Sequence, residues 1–151
     1  MSNENDLIKL YSDRILSLAT ELSAPSRLNN PDGSVKKRSP LCGSTVTVDL
    51  SVQDNLVSEF AQDVKACALG QAAASVLEKS IIGCSLPDIE RVRANLYDML
   101  KNGGVTPTAP FEDMEFLRPA KDFKNRHASI LLSVDATLEA IKIATNKKQY
   151  A

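Results

Sequence analysis

Ser44-Thr45-Val46-Thr47-Val48-Asp49-Leu50 alternates without a break, with Val46, Val48 and Leu50 at one parity and Thr45, Thr47 and Asp49 at the other. Successive side chains of a strand point to opposite faces of its sheet, so this period of two predicts a half-buried strand. Gln53-Asp54-Asn55 then turns the chain into a second strand, Leu56 to Val64, in which Leu56, Phe60 and Val64 can share a face. The expectation is an antiparallel hairpin spanning Ser44 to Val64.

Upstream of the hairpin, Ser23 to Pro40 holds Ala-Pro-Ser, Asn-Pro-Asp-Gly and the basic run Lys36-Lys37-Arg38. It reads as a long surface loop, part of which can add an edge strand to the sheet. Before it, Leu7, Leu10, Tyr11, Ile15, Leu18 and Leu22 recur every three or four residues, predicting an amphipathic helix over Asp6 to Leu22.

Beyond Cys67 the period becomes helical. Leu69, Ala72, Ala73, Val76, Leu77 and Ile81 form a stripe that ends at Gly83. Ser85-Leu86-Pro87-Asp88 has the form of a capping box with an early proline, and the helix it starts should stop at Gly103-Gly104. A short helix over Phe111 to Leu117 and a last one over about Arg126 to Ala144 complete an α+β arrangement, a small antiparallel sheet covered on one face by helices.

With 43% hydrophobic and 25% charged residues over 151 positions, the composition is that of one globular domain, 1–151, and excludes a disordered tail or a coiled-coil rod. A net charge of −1 leaves no global basic field to attract nucleic acid. The first residues lack the basic and apolar regions of a secretory signal, no apolar run approaches membrane-spanning length, and three cysteines are an odd number; a cytoplasmic, membrane-free protein with free thiols is expected.

Cys42 sits where the loop enters the first strand, and Cys67 where the second strand meets the alanine-rich helix, whose N-terminal dipole favours a thiolate. The two therefore share one end of the hairpin. His127, the only histidine, opens the last helix and can bring a third metal ligand. Cys-x24-Cys-x59-His is no zinc-finger pattern, however, and on the residues alone two buried structural cysteines with a surface histidine has the stronger claim. Cys84, in a loop between helices, reads as structural. Lys36-Lys37-Arg38 reads as solvated surface, although it can also steer an acidic partner.

From about residue 5 to 145 the chain resembles the U-type iron–sulfur cluster scaffold family, comprising IscU, SufU and N-terminal NifU proteins. Cys42-Gly43-Ser44 resembles that family's Cys-Gly-Asp, Cys67-Ala68-Leu69-Gly70-Gln71 its second cysteine before a small-residue helix, and His127-Ala128 its histidine–cysteine pair. The resemblance implies a SufE/NifU-like fold and a non-enzymatic scaffold. Its site would be Cys42, Cys67 and His127, with Ser44 auxiliary, for iron, zinc or a transient [2Fe-2S] cluster. It implies a cysteine desulfurase and acceptor apo-proteins as partners. Two departures qualify it: Ala128 stands at the third cysteine and Ser44 at the aspartate. A degenerate homologue that binds partners without a cluster is therefore the alternative, and a Cys-His enzyme lacks an identifiable orienting group or oxyanion site.

Overall fold

The computed structural model describes residues 11–40 and 43–149. Among the described residues, three strands form an antiparallel sheet in the order β1-β2-β3: β1 is Gly33–Arg38, β2 Thr45–Gln53 and β3 Leu56–Lys65. The alternation of Val46, Val48 and Leu50 does what it predicted, since all three are buried. The edge strand does come from the preceding loop. Val35 pairs with Val48 and Lys37 with Val46, so the basic run lies in a strand, and Lys37 is on the parity that faces the helices.

One expected face is corrected. Ser51 pairs with Glu59 but Val52 with Val57, so Ser58 is the extra residue of a β-bulge. The bulge reverses the parity of β3: Val57 turns into the core at 2% exposure and Leu56 turns out at 42%. Asp54 and Asn55, both with positive φ, make the two-residue turn between the strands.

Among the described residues, four α-helices follow the predicted order. In α1, Asp13–Thr20, Ser12 caps the N-terminus by accepting from the Ile15 amide, which starts the described helix later than Asp6; Leu7 and Leu10 lie outside the described residues. Helix α2, Ala68–Ser80, has Cys67 as its N-cap and ends three residues before Gly83. Its Leu69 and Leu77 are fully buried, each worth about 2–3 kcal/mol in transfer from water. Helix α3, Leu86–Asn102, begins with the capping box: Ser85 Oγ accepts from the Asp88 amide while Asp88 accepts from the Ser85 amide. In place of a short helix over Phe111 to Leu117, a 3₁₀ segment runs from Glu112 to Asp122 through Pro119, followed by another over Lys124–Arg126. Helix α4, His127–Gln149, continues past Ala144 because its last turn is polar, and apolar periodicity cannot register a solvated turn.

Helix α4 lies across β1 and β2 and packs on α2 and α3. From the parity of β2 opposite to Val48, Asp49 is fully buried under the loop of Arg27 and Leu28. Burial pushes its carboxyl up, but hydrogen bonds from Arg27, Ser34 and the Leu28 amide, with the Arg27 charge, outweigh it and hold the group below its ordinary value. Among the described residues, no helix is long and apolar enough to cross a membrane.

Candidate metal centre

The start of β2 and the end of β3 meet at Thr45 and Lys65, and Arg38 at the end of β1 pairs with Thr45. The described residues Ser39 and Ser44, and the N-cap of α2, therefore occupy the same end of the sheet. Cys42 itself, with Leu41, lies outside the described residues. Among the described residues on either side, the Ser39 amide donates to the Ser44 carbonyl at 2.8 Å, and the Gly43 amide to the Ser39 carbonyl at 3.2 Å. Gly43 has φ +69°, a conformation that costs a residue with a Cβ about 1–2 kcal/mol.

Ser44 and Cys67 are joined by a residue that the sequence reading quoted without giving it a role. Ser129 Oγ lies 3.1 Å from Ser44 Oγ and 3.7 Å from Cys67 Sγ. Ser44 and Ser129 are buried, while Cys67 is half-buried. Gly70 permits the approach, since a Cβ there would stand 2.8 Å from Ser129 Oγ and 2.8 Å from Ala66 Cβ. The signal for Ser129 was present in Arg126-His127-Ala128-Ser129, but what it touches depends on how α2 and α4 cross.

His127 is not a surface residue. It is 2% exposed, and its Nε2 lies 2.7 Å from the Ala120 carbonyl oxygen. A carbonyl only accepts, so Nε2 carries the proton in this contact. Burial is the main cause of a lowered His127 pKa, which favours the neutral ring and leaves a lone pair on Nδ1. Among the described residues Nδ1 has no hydrogen-bond partner. His127 and Ser129 are two residues apart, about 200° around the helix. The imidazole therefore faces the 3₁₀ segment and α3, while Ser129 faces α2. Among the described residues, no three His, Cys, Asp or Glu side chains form a metal-holding group.

Cys84 behaves as expected of a structural thiol. It is 8% exposed, its Sγ donates to the Ser80 carbonyl at 3.1 Å, and burial pushes its pKa up.

No family model matches the chain. It is similar to the N-terminal part of a nitrogen-fixing NifU-like protein from Brucella abortus, 41% identical, with 94% of this chain and 99% of that one aligned and a TM-score of 0.90. The chain belongs to the NifU-like family. Two more distant proteins are also similar to it. The SufU protein of Fervidobacterium islandicum AW-1, named for iron–sulfur cluster assembly in the SUF system, superposes with a TM-score of 0.77 at 19% identity, over 89% of this chain and 98% of that one. The iron–sulfur cluster assembly scaffold protein IscU of Thermotoga maritima is 22% identical over 133 residues, 88% of this chain and 93% of that one. For a NifU-like chain, Ala128 in place of a third cysteine is the main departure from the pattern that the sequence resembles.

Proposed function

We propose that this NifU-like chain is a scaffold that holds iron, zinc or a transient [2Fe-2S] cluster as cargo between Cys42 and Cys67, with Ser44 auxiliary and His127 joining once its ring turns from the Ala120 carbonyl, and passes it to acceptor proteins. The observation that carries the reading is the Cys67–Ser129–Ser44 contact, in a fold shared with a 41% identical NifU-like protein. Two thiolates and an imidazole are soft and borderline donors that suit zinc and iron–sulfur chemistry. The Ser129 hydroxyl can donate to a thiolate at Cys67, an outer contact of the kind that orients a metal ligand. Among the described donors His127 and Ser44 are buried and Cys67 is half-buried, so Cys67 is the donor through which handover would run. A cysteine desulfurase is the expected sulfur source, and the working compartment is the cytoplasm. The chain needs no turnover chemistry of its own and acts as one domain, 1–151.

Anaerobic reconstitution with iron and sulfide, read by visible absorption and metal analysis, tests the proposal. Thiolate-to-iron bands with bound iron and sulfide are expected, and they should disappear in Cys67→Ser while persisting in Cys84→Ser. The alternative rests on a specific observation: Ala128 contributes no lone pair where the family pattern has a thiolate. If a folded wild-type chain retains neither iron nor zinc, it is a partner-binding homologue without cargo.

A further inference from the structure

Between the end of β1, α3 and α4 lies a cavity of about 340 Å³. That is the small end of the range for small-molecule sites, about 300–1,000 Å³. Its wall carries four cations, Lys37, Arg38, Arg93 and Lys101, against one carboxylate, Asp135, and Cys67 does not line it. On a chain whose net charge is −1, this concentration of positive charge in a concave site selects an anion.

Helical spacing gathers part of this charge. Arg93, Tyr97 and Lys101 recur every four residues along one face of α3, and both cations approach the same ring, Arg93 at 4.9 Å and Lys101 at 5.8 Å from its centre. The four cations are not equivalent. Lys37 Nζ is 3.0 Å from Glu139 and Arg93 Nε is 2.9 Å from Asp135, so these two are already partnered. Among the described residues Arg38 and Lys101 form no ion pair. One comes from the last residue of β1 and the other from the last turn of α3, while Leu131 and Leu132 of α4 add apolar wall.

We infer that this cavity binds a small dicarboxylate, with one carboxylate at Arg38, the other at Lys101, and the carbon chain between them against Tyr97, Leu131 and Leu132. Once the internal ion pairs are set aside, two positive charges remain, and a dianion balances them. The planar fork of Arg38 suits a carboxylate held by two parallel hydrogen bonds, and the ammonium of Lys101 serves as a point charge. Cations on two different elements call for two anionic groups joined by a spacer, and the apolar wall favours a hydrocarbon one. The site goes beyond the scaffold reading and stands without it, since binding here makes or breaks no covalent bond and requires no metal.

Calorimetry on the full chain, treated with a chelator and measured at low salt, tests this with three probes: glutarate, propionate and inorganic phosphate. Glutarate should bind, with propionate and phosphate at least about tenfold weaker. Arg38→Ala and Lys101→Ala should each weaken glutarate about tenfold, and added salt should weaken it in the wild type. Lys36→Ala, at an exposed cation outside the cavity, should leave its affinity unchanged. Arg38 and Lys101 are themselves exposed, and circular dichroism of each variant separates lost binding from lost fold. No glutarate binding, or propionate or phosphate bound as tightly, overturns the dicarboxylate. An affinity indifferent to salt, an unchanged affinity in Arg38→Ala or Lys101→Ala, or a loss in Lys36→Ala equal to theirs overturns the cavity as the site.

Discussion

Two cysteines at opposite ends of α2 have different surroundings. At the C-terminal end, the loop of Cys84 is held to β3 by backbone: the Val57 amide donates to the Cys84 carbonyl at 2.9 Å and the Gly83 amide to the Val57 carbonyl at 2.8 Å. The thiol is buried and donates its hydrogen bond to the Ser80 carbonyl. At the N-terminal end, Cys67 is half-buried and, among the described residues, its Sγ lies beside the hydroxyl of Ser129. One end is closed by backbone bonds that depend little on side-chain identity. The other is assembled from side chains, Ser44, Ser129 and Cys67, whose chemistry can change with a single substitution. A thiol becomes a ligand only as a thiolate with an approach path, so the second end has the better claim to chemistry.

The comparison breaks most visibly in metal content. Cys67→Ser is expected to lose at least about tenfold in retained zinc or iron, because a hydroxyl is a poor substitute for a soft thiolate. Cys84→Ser should keep its metal and lose only about 1 kcal/mol of stability by chemical denaturation. Equal metal losses would mean that the ends have been assigned the wrong roles.

Damage between the two ends should be indifferent to them. Asp49→Ala removes the buried acceptor of Arg27, Ser34 and Leu28 and should cost about 2–4 kcal/mol in denaturant unfolding, exposing both cysteines alike to alkylation. In the native protein the lowered Asp49 pKa means that the unfolded chain binds more protons near the ordinary value of 3.8. The contribution is fully present above that pH and is lost as pH falls through the lower folded value. Stability measured over this acid range should therefore fall less steeply in Asp49→Asn than in wild type.

Gly70→Ala acts at the Cys67 end alone. Its Cβ would collide with Ser129 Oγ and Ala66 Cβ, costing about 1–3 kcal/mol and displacing the hydroxyl from Cys67. Retained metal should drop with it, and a variant that unfolds earlier yet keeps full metal would separate packing from the site. The smallest effect is expected of Ser129→Ala, which removes the hydroxyl without crowding. A few-fold faster loss of zinc to a chelator should result, with thermal unfolding shifted by no more than a few degrees.

The features legible in the sequence were local. Alternation from Val46 to Leu50, the Asp54-Asn55 turn and the Ser85–Asp88 cap each concern residues within a few positions of one another, and each forms as read. The β1 strand was anticipated only as an addition from the loop, because Lys37 faces the helices at an edge where its ammonium still reaches Glu139. Leu56 went to the wrong face because one bulged residue, Ser58, reverses every parity beyond it, and nothing in the composition marks the bulge. At the site, the shared end of the hairpin followed from connectivity. The Ser129 bridge and the cation-lined cavity at Ala128 follow from the crossing of helices distant in sequence. His127 was placed at the right helix end but on the surface, whereas the Ala120 carbonyl holds it inside.

Sulfur and nitrogen should hold the metal together at the Cys67 end. X-ray absorption at the zinc edge, on protein loaded with one equivalent of zinc(II) in a buffer free of added thiol, reads this ligand set. Two sulfur neighbours at about 2.3 Å and one imidazole nitrogen at about 2.0–2.1 Å are expected, with the sphere completed by oxygen. A zinc shell of oxygen and nitrogen alone, or one whose sulfur signal vanishes in Cys84→Ser and survives in Cys67→Ser, would contradict it.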